Sequence, residues 1–568
     1  MSSFVKKSLA KRTTVFAMAP KKQVSDAPVG SMVPIHRALD GFVDPIEFFS
    51  LLSGGGKKEN CILLESADIV KKYGEKSMGC CSPCLKASGK GKGFEIVALN
   101  GTGKRFLGFL KKDFDFCTCL EKKENSISGK IPSFEEEGGA VSEEERLLLK
   151  TQADVLRVLA FKFKQTPSPF PVTGGLFGAI AYDFIDQFEK LPEAKSDPLA
   201  DPDFEMLFCD NLFLIDHQQK KTAFIANALL TGEEDEKEAE RCEKVLDAYS
   251  AAFDETRGKK AKSVFSKSRS EKSKKISLKI SSDTGKEEFV SIVKECKERI
   301  VAGDIFQIVP SRSIAVETGA MPLAIYRQLR ELNPSPYMFY FNTSLGTLFG
   351  SSPETFLKVE ESGGVKKLEI RPIAGTKPRG LVDGKIDRDL DSRMENELRS
   401  DEKELAEHTM LVDLARNDVA RVSVPGTRFV DRPHYVEKYS HVMHLVSNVS
   451  GTLKPGLDAL HAYLASMNMG TLTGAPKVKA MELLRLMEKT KRGYYGGAIG
   501  YLTPKGDFDS AIIIRSVRMK GKKAFVRAGA GVVFDSVPEK EFEETENKAK
   551  ACIEAIKAAE SGTGCGAE

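Results

Sequence analysis

RPIAGTKPRG at residues 371–380 and ENELRSDEKELAEHTMLVDLARND at residues 395–418 decide the fold and the chemistry of this chain. The first stretch is expected to form a turn between a strand and a polar segment. In that turn Gly375 allows close backbone approach, while arginine and lysine supply fixed positive charge suited to an anionic ligand. The second stretch has the pattern of a helix that carries Glu404 and Glu407 three residues apart. This spacing places two carboxylates on one helical face, as a hard divalent cation requires.

The surrounding segment, residues 283–558, alternates helix and strand patterns compactly. FVSIVKECKERIVAGDIFQIVPSR (289–312) reads as a helix, a glycine stop and a strand. HVMHLVSNVSGTL (441–453) is β-branched and has the two-residue period of a strand. The alternation predicts an α+β unit.

The terminal stretch EKEFEETENKAKACIEAIKAAE (539–560) has the pattern of one more helix, with Glu541, Glu544 and Lys548 on a single face. Taken alone, such a face is typical of a solvated charged helix. Beside the two glutamates of the earlier helix, it completes a set of four carboxylates. Four carboxylates on two helices can hold Mg²⁺ and leave positions open for a substrate carboxylate.

The N-terminal part, residues 31–231, has mainly strand patterns. CILLES (61–66), FEIVALN (94–100) and KRFLGFL (104–110) are expected as short strands. SEEERLLLKTQADVLRVLAFKFK (142–164) has helical periodicity, with acidic residues at its start as a helix N-terminus favours.

Changes in composition predict four segments. Residues 1–30 form a tail, 31–231 an N-terminal domain, 232–282 a charged flexible insert, and 283–560 the domain that carries the motifs. The insert ends in RGKKAKSVFSKSRSEKSKKIS, a basic, low-complexity sequence typical of a linker.

The overall composition is that of a globular protein, with 41% hydrophobic and 29% charged residues. No apolar run reaches the ~18 residues of a membrane helix, and the near-neutral balance of charge gives no reason to expect nucleic-acid binding. The first 25 residues contain six basic residues and no acid, which predicts an organellar transit peptide; a disordered cytosolic tail is the alternative. Eleven cysteines without framework spacing indicate free thiols.

Together these motifs resemble the signature of the chorismate-utilising enzymes, and in detail that of the large, chorismate-binding subunit of anthranilate synthases. The resemblance covers about residues 40–560. It implies a two-lobed α+β fold in which antiparallel β-sheets pack as a sandwich, helices lie outside, and the active site occupies the cleft. The reaction it implies is Mg²⁺-dependent amination of chorismate at C2 by ammonia, followed by elimination of pyruvate to give anthranilate. Anthranilate formation is the first committed step of tryptophan biosynthesis.

The resemblance also assigns roles at the metal. It implies that Glu407 and Glu544 ligate Mg²⁺ directly, and that Glu404 and Glu541 act through water or as proton-transfer groups. His444 alone would be read as a packed strand residue. Its place in YSHVMHLVS (439–447) implies a histidine near the leaving group, where it favours elimination of pyruvate.

Further residues are implied around the substrate. Tyr495 and Arg515 would hold the enolpyruvyl carboxylate, as the bidentate geometry of arginine allows. The resemblance implies Thr471 as a catalytic residue in this pocket, together with His444 and Glu404. The remaining implied contacts line the pocket and are Ala374, Gly375, Thr376, Gly529, Gly531 and Lys548.

Two positions indicate which reaction of the family is run. Members that add water at C2 carry a lysine where this chain has Gln307, so ammonia is the expected nucleophile. Aminodeoxychorismate synthases typically carry a lysine where this chain has Ala374. The folate-branch enzyme, aminodeoxychorismate synthase component I, is the alternative.

Feedback inhibition by tryptophan is implied by LLES (63–66) and NPSPYMFY (333–340). Each motif alone is an ordinary strand end or turn. Together they imply that residues 31–231 are a regulatory domain and that the tryptophan contacts are Leu64, Glu65, Ser66, Asn333, Pro336, Tyr337 and Met338.

No cysteine lies in the strained elbow that a glutamine amidotransferase requires. We therefore expect ammonia to come from glutamine through a separate amidotransferase subunit, in a hetero-oligomer. The implied pathway favours a plastid location for a chain with a transit peptide, with a cytoplasmic location as the alternative.

Overall fold

The computed structural model describes residues 20–66, 76–110, 112–132, 143–258, 278–382, 385–439 and 442–563. The helices in these ranges are α1 Pro20–Ser25, α2 Pro45–Leu52, α3 Gly101–Phe109, α4 Glu143–Leu148, α5 Gln152–Phe161, α6 Glu238–Gly258, α7 Lys286–Val301, α8 Pro322–Leu332, α9 Arg388–Ser400, α10 Glu402–Val422, α11 Ala459–Ser466, α12 Lys477–Met487 and α13 Pro538–Thr563.

The strands of the N-terminal half are β1 Ser31–Asp40, β2 Cys61–Glu65, β3 Lys76–Cys80, β4 Leu85–Lys90, β5 Gly93–Ala98, β6 Thr118–Lys122, β7 Ser126–Lys130, β8 Lys164–Gln165, β9 Gly175–Ile180, β10 Phe204–Cys209, β11 Asn211–Asp216 and β12 Lys221–Leu229. Those of the C-terminal half are β13 Ile280–Ser282, β14 Gln307–Ile308, β15 Ser311–Glu317, β16 Tyr337–Thr343, β17 Gly346–Ser352, β18 Thr355–Ser362, β19 Val365–Ile370, β20 Ile373–Pro378, β21 Leu381–Val382, β22 Lys385–Ile386, β23 Phe429–Lys438, β24 Val442–Thr452, β25 Gly474–Ala475, β26 Ala498–Leu502, β27 Phe508–Ile512, β28 Ser516–Lys520 and β29 Lys523–Gly529.

Two large sheets organise the described residues. The first has the order β13-β15-β29-β28-β17-β16-β2-β3-β11-β12-β1-β8. The second has the order β20-β24-β19-β18-β27-β26-β9-β10-β4-β5-β7-β6, with β23 also paired to β24. Both sheets contain strands from both halves of the chain: β2 pairs with β16, and β9 pairs with β26, antiparallel in each case. The two halves therefore share continuous sheets.

Alternate side chains of each strand point to opposite faces of its sheet. The two sheets stack face to face and share the apolar layer between them. Ile62, Phe177 and Phe339 belong to the apolar layer between the sheets. Their neighbours Leu63 and Tyr340 point outward into a second apolar layer.

Helices cover both outer faces of this sandwich. Buried residues of α2, α6, α8 and α13 pack on the first sheet, and those of α3, α5, α10 and α11 pack on the second. The predicted α+β class, with antiparallel sheets between outer helices, is confirmed.

One predicted strand is wrong. KRFLGFL (104–110) lies mostly in α3, which begins after Asn100. The Asn100 side chain accepts a hydrogen bond from Gly103 N at 3.0 Å and so caps the helix. Phe106 and Leu107 are buried on one helical face. The apolar run that suggested a strand is the buried face of a capped helix.

The stretch at 371–380 is also more regular than expected. Instead of a turn, most of it forms β20, the edge strand that pairs with β24. The register shifts between Ala374 and Thr376, and Gly375 occupies the irregular position with φ +62°. Pairing with β24 satisfies the backbone, and glycine absorbs the bulge.

The segment 232–282 is not a linker throughout, since α6 packs on the first sheet and buries Leu246 and Phe253. At the end of the segment, β13 pairs with β15. Residues 259–277, which include most of the basic low-complexity stretch, lie outside the described residues.

The N-terminal tail is shorter than residues 1–30. Val24 on α1 is buried in the same apolar layer as α6, so the ordered fold begins before residue 30. Residues 1–19 of the predicted transit peptide lie outside the described residues, and its targeting role stays a prediction. Among the helices of the described ranges, none has both the length and the apolar character of a bilayer span.

Candidate active site

Four glutamates lie in the first two turns of α10 and α13, near enough for the charge of Glu544 to act on both glutamates of α10. Glu404 and Glu407 lie on α10, and Glu541 and Glu544 lie on α13. Burial raises the pKa of Glu404, and the charges of Asp401 and Glu544 raise it further. Burial, with the charges of Glu404 and Glu544, raises the pKa of Glu407 from 4.5 to about 7. The structure thus brings the two predicted carboxylate pairs within electrostatic reach of each other.

Two further side chains contact this carboxylate cluster. Gln307 Nε2 donates to Glu407 Oε1 at 3.1 Å, and Lys548 forms an ion pair with Glu544 at 2.5 Å. In the ranges that the structure describes, no three His, Cys, Asp or Glu side chains are already placed as ligands of one metal ion. The donor set fits Mg²⁺ nevertheless. A hard cation takes carboxylate oxygens and would remove the repulsion that raises the Glu407 pKa.

Two glycines leave room beside the carboxylates. A Cβ on Gly375 would lie 3.1 Å from Glu404 Oε2. A Cβ on Gly531 would lie 3.1 Å from Gln307 Nε2 and 3.6 Å from Glu407 Oε1. Any larger residue at either position would therefore displace a side chain of the cluster.

His444 lies on β24, beside the bulge in β20. Its Nδ1 is 3.1 Å from Gly375 O and 3.0 Å from Thr376 Oγ1. A carbonyl oxygen only accepts, so Nδ1 carries the hydrogen and Nε2 keeps its lone pair. Burial lowers the pKa of His444, and the charge of Arg515 lowers it further. The arrangement presents a neutral imidazole that can accept a proton at Nε2.

Arg515 follows β27 and stands in the centre of the site. Its backbone has φ +49°, an unfavourable conformation for any residue with a side chain. Within the described residues its guanidinium has no hydrogen-bond or ion-pair partner. Its charge reaches His444, Tyr495 and Glu354, because it acts on the pKa of each. A strained, unpaired arginine among these groups suits an anionic ligand.

The other predicted contacts on this side adjoin one another. A Cβ on Gly529 would lie 3.3 Å from Tyr495 Oη. Lys548 Nζ donates to the Gly529 carbonyl at 3.0 Å. Ala374 is buried on β20. The structure therefore places the predicted substrate contacts around one site that extends from His444 to α13.

Glu354, which lies just before β18, was not predicted from the sequence. Burial raises its pKa from 4.5 to about 8, although the Thr471 hydroxyl and the charges of Arg515 and Lys548 oppose the rise. The carboxyl is therefore neutral near pH 7 and can donate a hydrogen bond. The available signal was SSPE (351–354), which places a single acid immediately before an apolar strand.

A second cavity of about 830 Å³ is lined by strands of both sheets. Six of the seven predicted tryptophan contacts line it, namely Leu64, Glu65, Ser66, Pro336, Tyr337 and Met338. The cavity also has charged walls, among them Arg371 and Asp509. Asn333 does not belong to the lining. It lies at the end of α8, where its carbonyl accepts from the Ser351 hydroxyl.

The family model described as chorismate binding enzyme matches residues 116–554. A curated relative, anthranilate synthase component 1 of Vibrio cholerae serotype O1, is 41% identical over 533 residues, covering 93% of this chain and 97% of its own. The chain belongs to the chorismate-binding enzyme family. Anthranilate synthase component 1 of Escherichia coli K12 is also 41% identical, over 88% of this chain and 92% of its own.

Solved structures agree with this membership. Anthranilate synthase component I of Streptococcus pneumoniae superposes with a TM-score of 0.63 at 29% identity, over 84% of this chain and 92% of that one. The menaquinone-specific isochorismate synthase of Escherichia coli superposes with a TM-score of 0.57 at 15% identity, over 95% and 99%, and shows the fold alone. The predicted family is confirmed, and the chain is a chorismate-utilising enzyme. These relatives are bacterial and give no support to a plastid location.

Proposed function

We propose that this chain is the large component of an anthranilate synthase, which aminates chorismate at C2 with ammonia and eliminates pyruvate. The observation that carries the proposal is the contact between Gln307 and Glu407. A lysine at this position could activate water, whereas a neutral carboxamide cannot. Ammonia needs no such base because it is already nucleophilic.

Gln307 is also suited to hold that nucleophile. Its side chain is 2% exposed, and its Oε1 has no hydrogen-bond partner among the described residues. Because Nε2 is bound to Glu407, the free Oε1 can accept a hydrogen bond from ammonia. A buried acceptor without a donor is costly, so a bound N–H group would stabilise it.

The residues on the opposite side suit the enolpyruvyl group. Arg515 would bind its carboxylate by paired hydrogen bonds, and Tyr495 would donate a further one. Neutral Glu354 can donate toward the departing group, and His444 Nε2 can take up a proton when pyruvate leaves. Burial favours the neutral forms of Tyr495, Glu354 and His444 that these proton transfers and hydrogen bonds use.

Mg²⁺ bound by Glu407 and Glu544, with Glu404 and Glu541 acting through water, would neutralise the ring carboxylate of chorismate and withdraw charge during displacement of the 4-hydroxyl. The chain itself supplies the four carboxylates and the space beside them. The positive charge of Lys548 on α13 offsets part of the negative charge of the four carboxylates.

Tryptophan is the proposed inhibitor at the 830 Å³ cavity. Its apolar walls suit an indole ring, and its charged residues suit an amino acid backbone. The ammonia is proposed to come from glutamine through a separate amidotransferase subunit, which makes the working enzyme a hetero-oligomer.

The test is to incubate the purified chain with chorismate, Mg²⁺ and ammonium and to follow anthranilate fluorescence, with and without tryptophan. Anthranilate that tryptophan suppresses is the expected result. A 4-amino product would instead identify an aminodeoxychorismate synthase, and no product would refute the proposed activity. Glutamine should replace ammonium only after an amidotransferase subunit is added.

A further inference from the structure

Arg371, the first residue of the RPIAGT motif, lies between the 830 Å³ cavity and the active site. It lines the cavity. Its Nη2 donates to Tyr435 Oη at 2.8 Å and to Glu437 Oε2 at 3.1 Å. Tyr435 lines the same cavity, whereas Glu437 lies further along β23 toward the catalytic histidine.

From Glu437 the contacts continue to His444. The Tyr439 hydroxyl donates to Glu437 Oε2 at 2.8 Å. The Tyr439 ring meets the His444 imidazole edge-on, with centroids 5.4 Å apart. Glu437 also pairs directly with His444 in the register of β23 and β24, and its charge raises the pKa of His444 against the effect of burial.

A backbone connection joins the same two points. Arg371 immediately precedes β20, and Gly375 on that strand accepts the Nδ1 hydrogen of His444. A shift of Arg371 can thus reach the imidazole from two sides. One path passes through side chains and the other through the bulged strand.

We propose that Arg371, Glu437 and Tyr439 couple occupancy of the cavity to the position of His444. This inference rests on the proposed function and names the residues that transmit its regulation. An amino acid in the cavity carries a carboxylate, which competes with Glu437 for the Arg371 guanidinium. Glu437 then loses the ion pair with Arg371 and can shift, and the hydrogen bond from Tyr439 shifts with it. The Tyr439 ring consequently changes its contact with the imidazole. Glu437 and Tyr439 act as positioning residues, and Arg371 responds to the ligand.

Tyr439→Phe tests the coupling because it removes one hydroxyl and keeps the ring against His444. The protein contains no tryptophan, so the fluorescence of added tryptophan reports binding to the cavity directly. We expect the tryptophan Kd to stay within about threefold, while the factor by which tryptophan inhibits turnover falls roughly tenfold, as for loss of a hydrogen bond to a charged group. We also expect kcat without tryptophan to fall and KM for chorismate to hold.

Tyr249→Phe is the matched control. Tyr249 is a buried tyrosine whose hydroxyl donates to Asn211 at 2.6 Å, on the outer face of the first sheet. It should change neither inhibition nor KM. Glu437→Gln is a second variant, which keeps the shape and removes the charge; it should weaken inhibition as Tyr439→Phe does.

The outcomes separate the two proposals. If wild type makes anthranilate and Tyr439→Phe and Glu437→Gln are inhibited as fully as wild type, the coupling is overturned and the proposed function stands. If wild type makes no anthranilate, the proposed function is refuted together with the regulation that depends on it. Equal loss of inhibition in Tyr249→Phe would also overturn the coupling, because the effect would not be specific to the path.

Discussion

Replacing Glu407 with glutamine should stabilise the metal-free protein while abolishing turnover. The Glu407 pKa is raised from 4.5 to about 7 by burial and by the charges of Glu404 and Glu544. At 1.36 kcal/mol per pKa unit, keeping this carboxylate ionised costs the folded state about 3 kcal/mol at pH 8. The pKa of Glu407 is higher in the folded state than in the unfolded state, so the cost to the folded state grows as pH rises from 4.5 to 7. It falls below about 0.5 kcal/mol at pH 4.5. Glutamine keeps the shape and removes the charge.

Urea unfolding midpoints in EDTA at pH 4.5 and pH 8 would measure this effect. Glu407→Gln should exceed wild type at pH 8 and match it closely at pH 4.5. Millimolar Mg²⁺ should stabilise wild type and not the variant, because only wild type keeps the full ligand set. Glu402→Gln, an exposed change on the same helix, is the control. It should match wild type at pH 8 in EDTA, and Mg²⁺ should stabilise it as much as wild type. A lower midpoint for Glu407→Gln in EDTA at pH 8 would refute the reasoning, as would an equal gain from Mg²⁺ in both proteins.

Two further changes test the site. Gly375→Ala should lower the free energy of unfolding by about 2 kcal/mol and sharply reduce turnover, because the added Cβ strains a left-handed backbone and presses on Glu404. Gly363→Ala is the control, since Gly363 has φ +64° and open space around it. In urea unfolding it should show the backbone strain alone, and it should keep full activity. Glu354, with a pKa of about 8, should lose its proton as pH rises, so wild-type kcat should fall above pH 8 at constant uncharged ammonia. Glu354→Gln cannot ionise and should lack that fall; identical pH profiles would contradict the assigned role.

The helix predicted at 539–560 is confirmed as part of α13. The single helix predicted at 395–418 is wrong, because Asp401 ends α9 and caps α10. Spacing alone placed Glu404 with Glu407 and Glu541 with Glu544 on helical faces. That the faces meet depends on α10 and α13 covering different sheets, which no local pattern contains. The convergence followed only from the family resemblance.

The misses have local physical reasons. The strand predicted at 104–110 failed because the cap at Asn100 outweighs a short apolar run. The turn predicted at 371–380 was wrong because this segment pairs with β24, which is distant in sequence, and so forms a strand. Glu354 could not be recognised because its altered acidity arises from burial by distant segments.

The interleaving of both halves in each sheet has a consequence for biosynthesis. One edge of β9 pairs with β10, but the other edge pairs with β26, which is synthesised about 320 residues later. At the usual pace of translation this interval lasts roughly 15 to 65 s. During that time an apolar strand edge stays open to other chains. We therefore expect the newly made protein to need chaperones until its last third leaves the ribosome. Residues 31–231 made on their own should aggregate, and they should become soluble when residues 283–560 are produced in the same cell.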